Sequence, residues 1–281
     1  MLAGRGGAAQ AYQGGTDLLI RIRQGSSQPG RLVDLKGLPG MQELRVDDEG
    51  WLILGAACPM NRIAESPLVQ ERHDLLVQAC RSIGSYQLRS RATIGGNCCN
   101  ASPAADTLPA LYCLSAAVGI YGIAGTRILP VDELILGPGR VALQSGEFLT
   151  SIRVPPSPPG AFGVYNKLGS TKKGDIAVAS VAVYAWPEGG ARRQWRIAMG
   201  AVAPAPVRAV EAEAVIAASD SQTGIARAAA LCAAAAQPID DARASAAYRR
   251  VVVVELARRG IEAVLRMPIR PGSVPAAGGP A

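Results

Sequence analysis

Two short glycine-containing stretches hold the residues of this 281-residue chain that are best suited to bind a phosphate-containing ligand. Gly14-Gly15-Thr16 and Gly95-Gly96-Asn97 each follow extended sequence and each lead toward a helix. Because glycine has no Cβ, successive backbone N–H groups can converge on an anion at close range. One such turn is usually structural, but two with small polar neighbours would suit a diphosphate, which presents oxygen atoms on both sides.

The adjacent cysteines that follow the second turn could also indicate a metal or redox site. Cys98 and Cys99 are too close in sequence to act as a normal chelating pair, and the chain has no CxxC motif and a single histidine. We interpret them as small residues packed behind a loop. Disulfides are not expected among the six cysteines, because the residues at the N-terminus lack the apolar region of an export signal.

Two other motif matches and the single histidine do not indicate a catalytic or nucleotide-binding site, because the sequence around each lacks the features that such a site requires. The stretch at residues 4–9 matches G-x-G-x-x-A, but no strand precedes it and no βαβ unit follows, which excludes a Rossmann site. Residues 170–173 match S-x-x-K without the companion motifs of that enzyme class. Nucleophilic catalysis with a histidine base would depend wholly on His73, which we predict to be a solvated surface residue at a charged helix start.

Several predicted elements position the two turns in the first part of the chain. After the first turn we expect a short helix that Thr16 caps, with Leu18, Leu19 and Ile22 on one face. The patterns that follow predict a strand at 31–35, a hairpin at 43–56, helices at 67–82 and 103–115, a hairpin around 122–127 and a strand at 147–154.

A proline-rich stretch, "PPSPPG" at residues 155–160, is the clearest linker in the sequence. It divides the chain into a first domain at 1–158, a second at 159–271 and a tail at 272–281 that we expect to be disordered. The second domain has three strand-like runs, then helices from about 207 and 222 and at 244–265. Strands followed by helices predict a three-stranded antiparallel sheet with packed helices, and the fold class is α+β.

Composition and charge exclude several classes of protein. The chain is 49% hydrophobic, which excludes disorder, and its net charge of +7 comes partly from late arginines such as Arg249 that we expect on a solvated or partner-facing helix. Without interleaved aromatic residues, that helix does not favour nucleic acid. Residues 107–126 are uncharged but are broken by proline and glycine, so we expect no membrane span. We therefore expect a cytoplasmic protein.

The segments "QGGTDLL" and "QLRSRATIGGNCCNASPAADTLPALYCL" together closely resemble the flavin-binding medium subunit of the molybdenum hydroxylases, the xanthine dehydrogenase and carbon monoxide dehydrogenase family. Further segments such as "YNKLGSTKKGDIAVASVAV" follow in the family's order, so the resemblance covers nearly the whole chain. It implies a two-part FAD-binding domain of the PCMH type followed by a smaller C-terminal domain. It also implies that the two glycine motifs flank the FAD diphosphate.

Carried over position by position, the resemblance implies these FAD-binding residues. The first diphosphate loop would be Gln13, Gly14, Gly15, Thr16, Asp17 and Leu18, and the second would be Thr93, Ile94, Gly95, Gly96 and Asn97. Asn100 and Asp106 would hold polar parts of the dinucleotide, Asp106 a ribose hydroxyl. Ile83 and Lys167 would lie beside the isoalloxazine ring, and Phe148 and Leu149 would line the adenine side unless they are ordinary core. No catalytic or metal-binding residue is expected in this chain.

The family also implies partners and a role. A small subunit would carry [2Fe-2S] clusters and a large subunit the molybdenum cofactor, as a dimer of heterotrimers, and FAD in this chain would pass electrons to an external acceptor. Two sequence differences bear on that acceptor, since the family often has alanine at Gln13 and arginine at Thr171. By comparison with the family, we also expect the usual opening strand and helix before the first motif to be mostly missing, so that the chain would start about one secondary-structure unit late. Two alternatives stay open: a self-contained flavin oxidoreductase, and a flavin-free assembly subunit.

Overall fold

The structure, a computed structural model, describes residues 9–171, 175–190 and 192–268. Its strands are β1 (Ala9–Tyr12), β2 (Arg31–Asp34), β3 (Leu44–Val46), β4 (Leu52–Gly55), β5 (Ala117–Gly122), β6 (Gly125–Pro130), β7 (Ile135–Gly137), β8 (Arg140–Val141), β9 (Phe148–Val154), β10 (Phe162–Leu168), β11 (Ala179–Gly189), β12 (Arg192–Gly200) and β13 (Val207–Arg208). Its helices are α1 (Leu18–Arg23), α2 (Met60–Glu65), α3 (Pro67–Arg72), α4 (Asp74–Arg81), α5 (Tyr86–Arg89), α6 (Ile94–Asn100), α7 (Thr107–Cys113), α8 (Val131–Leu134), α9 (Val210–Ala218), α10 (Gln222–Ala235) and α11 (Ala246–Arg266).

The first part of the chain contains two sheets that hold the glycine turns. Strands β1 and β2 pair in parallel, with α1 between them in sequence. A five-stranded antiparallel sheet has the order β3-β4-β9-β5-β6, which confirms the predicted hairpins and the strand near 147–154. The second glycine turn is held against this sheet, because the N–H of Gly95 donates to the carbonyl of Ala56 just beyond β4.

The helix predicted at 67–82 is two helices, α3 and α4, which meet at His73. The backbone of His73 has φ −142° and ψ 54°, outside the helical region, so the helix cannot continue through it. The side chain of His73 is only 2% exposed, so the prediction of a solvated histidine is wrong. Its Nδ1 lies 3.1 Å from Ser157 Oγ in the proline-rich linker, and Ser157 Oγ donates to the carbonyl of Arg72.

The C-terminal sheet has four strands in the order β10-β11-β12-β13, so the prediction of three strands is wrong. The additional strand, β13, pairs over only two residues with β12, which is too short for an alternating pattern to reveal it. The long β11 is buried on both faces: Val181 and Val183 face the C-terminal helices, whereas Ala182 and Tyr184 join the core of the first part. One sheet therefore contributes to both hydrophobic cores.

Helix α11 confirms the long helix predicted at 244–265, but one of its arginines is not on its surface. Arg249 is 2% exposed, and its Nη1 donates to the carbonyls of Val178 and Ala201, each at 2.8 Å. Its Nη2 lies 2.7 Å from Asp241 Oδ1. The expectation of a solvated or partner-facing Arg249 is wrong because this side chain ties α11 to the sheet.

Some sequence features lie outside the described residues. These are the predicted tail at 272–281, Lys172 and Lys173 of the S-x-x-K match, and most of the motif at 4–9. The division of the chain near residue 158 stays a prediction. In the part of the chain that the structure describes, no helix has the length and apolar character needed to cross a membrane.

Candidate functional site

The first glycine turn connects β1 to α1 and leaves several backbone donors free. Gly15 has φ +78°, a conformation that favours glycine, and a Cβ on Gly14 would lie 2.1 Å from the carbonyl oxygen of Arg91. Within the described part of the chain, the N–H groups of residues 14–17 have no hydrogen-bond partner. The α1 N-cap is Asp17 and it makes no side-chain cap bond, so the prediction that Thr16 caps this helix is wrong. This turn can offer its N–H groups to a ligand.

The second glycine motif is the start of helix α6 and not an open turn. Thr93 is the N-cap, and its Oγ1 accepts from the N–H of Gly96 at 3.1 Å. The N–H groups of Ile94 and Gly95 donate to the carbonyls of Cys58 and Ala56, and that of Asn97 donates to the carbonyl of Thr93. The expectation that both motifs offer free backbone donors is therefore wrong for the second one, whose donors the protein itself uses.

Close packing explains why this second motif requires glycine. A Cβ on Gly95 would lie 2.6 Å from the carbonyl oxygen and the Cβ of Ala56, so Gly95 lets α6 approach the residue after β4. A Cβ on Gly96 would lie 2.8 Å from Thr93 Oγ1 and 4.0 Å from Gln13 Oε1, on the side that faces the first turn. Gly95 thus serves packing, and Gly96 keeps space open between the motifs.

Gln13, where the resembling family often has alanine, joins the two motifs directly. Thr93 Oγ1 donates to Gln13 Oε1 at 2.9 Å, across 80 positions of sequence. Lys36 Nζ donates to the carbonyl of Gln13 at 3.0 Å and lies over the ring of Tyr12. These contacts fix the separation of the two motifs before any ligand binds.

A cleft of about 160 Å³ lies between the two motifs. Its lining contains most of the predicted loop residues together with residues that sequence reasoning missed: Gln10, Ala11, Gln13, Gly14, Gly15, Thr16, Asp17, Leu18, Arg21, Ala92, Thr93, Gly96, Asn97, Cys99 and Asn100. Arg21 is the notable addition, since its charge faces a site expected to hold an anion. Its position one turn beyond Asp17 on the predicted helix was the available signal.

Asn100 at the end of α6 connects both sides of this cleft. Its Nδ2 donates to Asp17 Oδ1 at 3.2 Å, and its Oδ1 accepts from Arg21 Nη2. Asn97, one turn earlier, accepts from Thr107 Oγ1 at 2.6 Å, so the first residue of α7 orients its side-chain amide. The predicted polar residues of α6 therefore lie where they can reach a ligand in the cleft.

Asp106 lies in a different setting, a buried group that we call the Asp106 cluster: Asp106, Tyr165, Lys167 and the carbonyl of Ser82. Lys167 Nζ lies 2.8 Å from Asp106 Oδ2 and donates to Ser82 O at 3.0 Å, and Tyr165 Oη donates to Asp106 Oδ1 at 2.9 Å. Asp106 is 7% exposed, and burial raises its pKa, against the opposing effect of Lys167. Burial and the Asp106 carboxylate also raise the pKa of Tyr165.

The remaining predicted residues lie away from the cleft. Ile94 and Leu149 are buried in the first core, and Phe148 is half-buried with its ring 5.6 Å from that of Tyr121. Ile83, 9% exposed, follows the carbonyl to which Lys167 donates. The structure therefore divides the predicted ligand residues between the cleft, the Asp106 cluster and the core.

Of the adjacent cysteines, Cys98 is buried as expected for a structural residue, whereas Cys99 is partly exposed and lines the cleft. Cys98 is fully buried, and burial raises its pKa; burial also raises the pKa of Cys99 to about 12. Among the described residues no group of three or more histidine, cysteine or acidic side chains could hold a metal ion.

Comparisons with known proteins agree with this architecture. The family described as the FAD binding domain in molybdopterin dehydrogenase matches residues 2–157, and the CO dehydrogenase flavoprotein C-terminal domain matches residues 164–264. The chain is 31% identical to the carbon monoxide dehydrogenase medium chain of Hydrogenophaga pseudoflava, over 94% of this chain and 91% of that one. It is 30% identical to the xanthine dehydrogenase FAD-binding subunit of Escherichia coli O157:H7, over 73% of this chain and 70% of that one.

Solved structures show the same likeness. Carbon monoxide dehydrogenase from Hydrogenophaga pseudoflava, in a form that lacks the Mo-pyranopterin moiety of its cofactor, matches with a TM-score of 0.89 at 30% identity, covering 94% of this chain and 91% of that one. Reconstituted CO dehydrogenase from Oligotropha carboxidovorans matches with a TM-score of 0.90 at 29% identity, covering 95% and 93%. The chain therefore belongs to the FAD-binding subunits of the molybdenum hydroxylases, the oxidoreductase family of carbon monoxide dehydrogenase and xanthine dehydrogenase.

Proposed function

We propose that this chain is the electron-transfer flavoprotein subunit of a multi-subunit molybdenum hydroxylase. In this role it binds FAD without a covalent bond, between [2Fe-2S] clusters in a small partner subunit and an external acceptor. Substrate oxidation would take place at a molybdenum cofactor in a large partner subunit, and the complex would be a dimer of heterotrimers. Bound FAD supplies the redox chemistry, and the protein supplies binding, orientation and electrostatic environment.

The observation that carries this proposal is the cleft between the two glycine motifs. Its first turn has N–H groups at residues 14–17 that no described residue uses, and its second motif keeps space open at Gly96. Such a site suits a diphosphate, because glycine lets successive backbone N–H groups approach an anion closely. We propose that residues 1–158 form the two-part FAD-binding domain of the PCMH type and that residues 159–271 form the C-terminal domain.

The other predicted residues receive roles in the same proposal. Asn97 and Asn100 would bind polar parts of the dinucleotide at the end of α6. Ile83 and Lys167 would form the wall beside the isoalloxazine ring, where Lys167 is held by Asp106 at 2.8 Å. Because Asp106 already accepts from Tyr165 and Lys167, we propose that any ribose contact uses the remaining lone pairs of its carboxylate.

Flavin content tests FAD binding. We expect the purified full chain to be yellow, and denaturation should release FAD that co-elutes with authentic FAD in chromatography. A correctly folded, colourless chain that refuses added FAD would contradict the proposal and would favour the flavin-free assembly subunit.

The partners require a second experiment. The chain carrying an affinity tag is co-expressed with its neighbouring reading frames, and the purified complex is analysed for FAD, iron and molybdenum. We expect all three in the same complex, at a mass that corresponds to two copies of each subunit. Steady turnover by the isolated chain, without iron or molybdenum, would instead favour a self-contained flavin oxidoreductase.

A further inference from the structure

Arg21 supplies the positive charge of the cleft between the glycine motifs. Among the described side chains that line this cleft, it is the one that carries a positive charge. Its partner there is an amide, because Arg21 Nη2 donates to Asn100 Oδ1. No ion pair joins Arg21 to a carboxylate within the described residues. Its charge is therefore not already used by an acidic neighbour.

The cleft also contains a negative charge that opposes an anionic ligand. Asp17 lines it, and its carboxylate accepts from Asn100 Nδ2 at 3.2 Å. A diphosphate brings two further negative charges, and like charges at such short range repel each other. Without Arg21, the lining would present one carboxylate and only neutral donors to the ligand. Arg21 makes the net charge of the side chains in the lining zero, so an anionic ligand meets no net repulsion from them.

The geometry holds the guanidinium between the two motifs. Arg21 lies on α1, which begins one residue after Asp17, and Asn100 is the last residue of α6. A guanidinium has five N–H donors in a planar fork, so the bond to Asn100 leaves further donors for phosphate oxygens. The bond to Asn100 also orients the side chain before a ligand binds, which lowers the entropic cost of binding.

We propose that Arg21 is a diphosphate-binding residue that compensates the charge of Asp17 and determines the affinity of this chain for FAD. This inference rests on the proposed function, since it assigns a further residue to the same site. The chain offers a matched control in Arg23, which lies on the same helix, is exposed and does not line the cleft.

The test compares FAD binding by the full chain freed of its flavin, measured as quenching of flavin fluorescence. Arg21→Gln should raise the Kd for FAD at least about tenfold, the loss expected for a hydrogen bond to a charged group. Arg23→Gln should stay within about twofold. Because salt screens exposed charges, the Kd of the wild-type chain should change little with ionic strength, and that of Arg21→Gln should fall, since only the repelling carboxylate of Asp17 remains in its lining. Arg21→Lys should recover part of the affinity.

The outcomes separate the two proposals. A wild-type chain that does not bind FAD would overturn the proposed function itself. Wild-type binding with equal Kd values for Arg21→Gln and Arg23→Gln would overturn the role of Arg21 alone. Should Arg21→Gln not fold, as judged by circular dichroism, Asp17→Asn provides the second variant: removal of the carboxylate should tighten FAD binding at low salt, and the Kd of this variant should rise with ionic strength because Arg21 is then uncompensated. Unchanged or weaker binding by Asp17→Asn would contradict charge compensation.

Discussion

The cleft and the Asp106 cluster differ in how much of their hydrogen-bonding capacity the protein itself uses. In the cleft, the N–H groups of residues 14–17 are free in the described structure. In the cluster, both carboxylate oxygens of Asp106 accept hydrogen bonds from within the chain, and Lys167 also donates to Ser82. A substitution in the cleft should therefore alter ligand binding more than folding, and one in the cluster should alter folding more than ligand binding.

Removal of the Lys167 ammonium should have the largest effect on stability. Lys167→Met leaves the Asp106 carboxylate, 7% exposed, without its cation, and breaking a buried pair in this way costs about 3–5 kcal/mol of unfolding free energy. Urea unfolding measures this loss. The control is Arg45→Met, whose pair with Glu43 is half-exposed and should contribute at most about 1 kcal/mol.

The double variant sharpens that measurement. Asp106→Asn together with Lys167→Met removes both charges, so the chain should recover a substantial part of the lost stability. If Lys167→Met proves as mild as Arg45→Met, the cluster is not a structural pair. The distinction between the two regions would then fail.

Gly95→Ala is the next largest expected effect, and it tests whether the second motif is structural. The new Cβ would lie 2.6 Å from the carbonyl oxygen of Ala56, and backbone cannot move aside as a flexible side chain can. Overpacking of this kind costs about 1–3 kcal/mol, visible as a lower Tm. The matched control is Gly37→Ala, because no atom lies within 4 Å of a Cβ there and its φ is not positive. Equal Tm values for the two variants would show that α6 can shift away.

Burial also predicts a pH dependence, carried by His73. Burial lowers its pKa from 6.5 to about 4, so the folded protein keeps the neutral form and the unfolded chain binds the proton more readily. This contribution to stability is complete above pH 6.5 and is lost progressively as the pH falls from 6.5 to 4. At pH 5 the loss amounts to about 2 kcal/mol.

Urea unfolding of the wild-type chain and His73→Asn at pH 7 and pH 5 measures this loss. Asparagine keeps an N–H group near Ser157 but cannot titrate, so the variant should lose less stability than the wild-type chain between the two pH values. Equal losses in both proteins would mean that His73 does not carry the pH dependence.

The elements that the sequence revealed are those whose burial follows one period over enough residues. Helix α11 was predicted within a few residues and β11 as one of three strand-like runs, because twenty-one and eleven residues give a clear pattern. Strand β13 was not, since two residues carry no period. The break at His73 was also missed: its apolar neighbours keep helical spacing, and only a tertiary contact with the linker explains its burial.

The site divides in the same way. The positions of the glycine motifs follow from the sequence, because a glycine between small polar residues indicates a close approach. The sequence does not show which N–H groups remain free, because that depends on hydrogen bonds to the carbonyls of Ala56 and Cys58, nearly forty residues earlier. Arg21 was not predicted for a similar reason. Its role in the cleft depends on its contact with Asn100 and on the negative charge of Asp17 nearby.

Gly96→Ala should have the smallest effect on folding and a selective effect on the cleft. Its Cβ would enter the space between Thr93 Oγ1, at 2.8 Å, and Gln13 Oε1, at 4.0 Å, where no backbone from another element opposes it. We expect an unfolding free energy within about 0.5–1 kcal/mol of the wild type and a Kd for FAD about tenfold higher, equal to about 1.4 kcal/mol. Together with Gly95→Ala, this variant compares two glycines of one motif. Gly95→Ala should lower Tm with little effect on the Kd for FAD of the folded fraction. Gly96→Ala should raise that Kd with little effect on Tm. If both variants change stability and neither changes the Kd, both glycines of the second motif serve packing only, and the first turn binds the ligand without a contribution from the second motif.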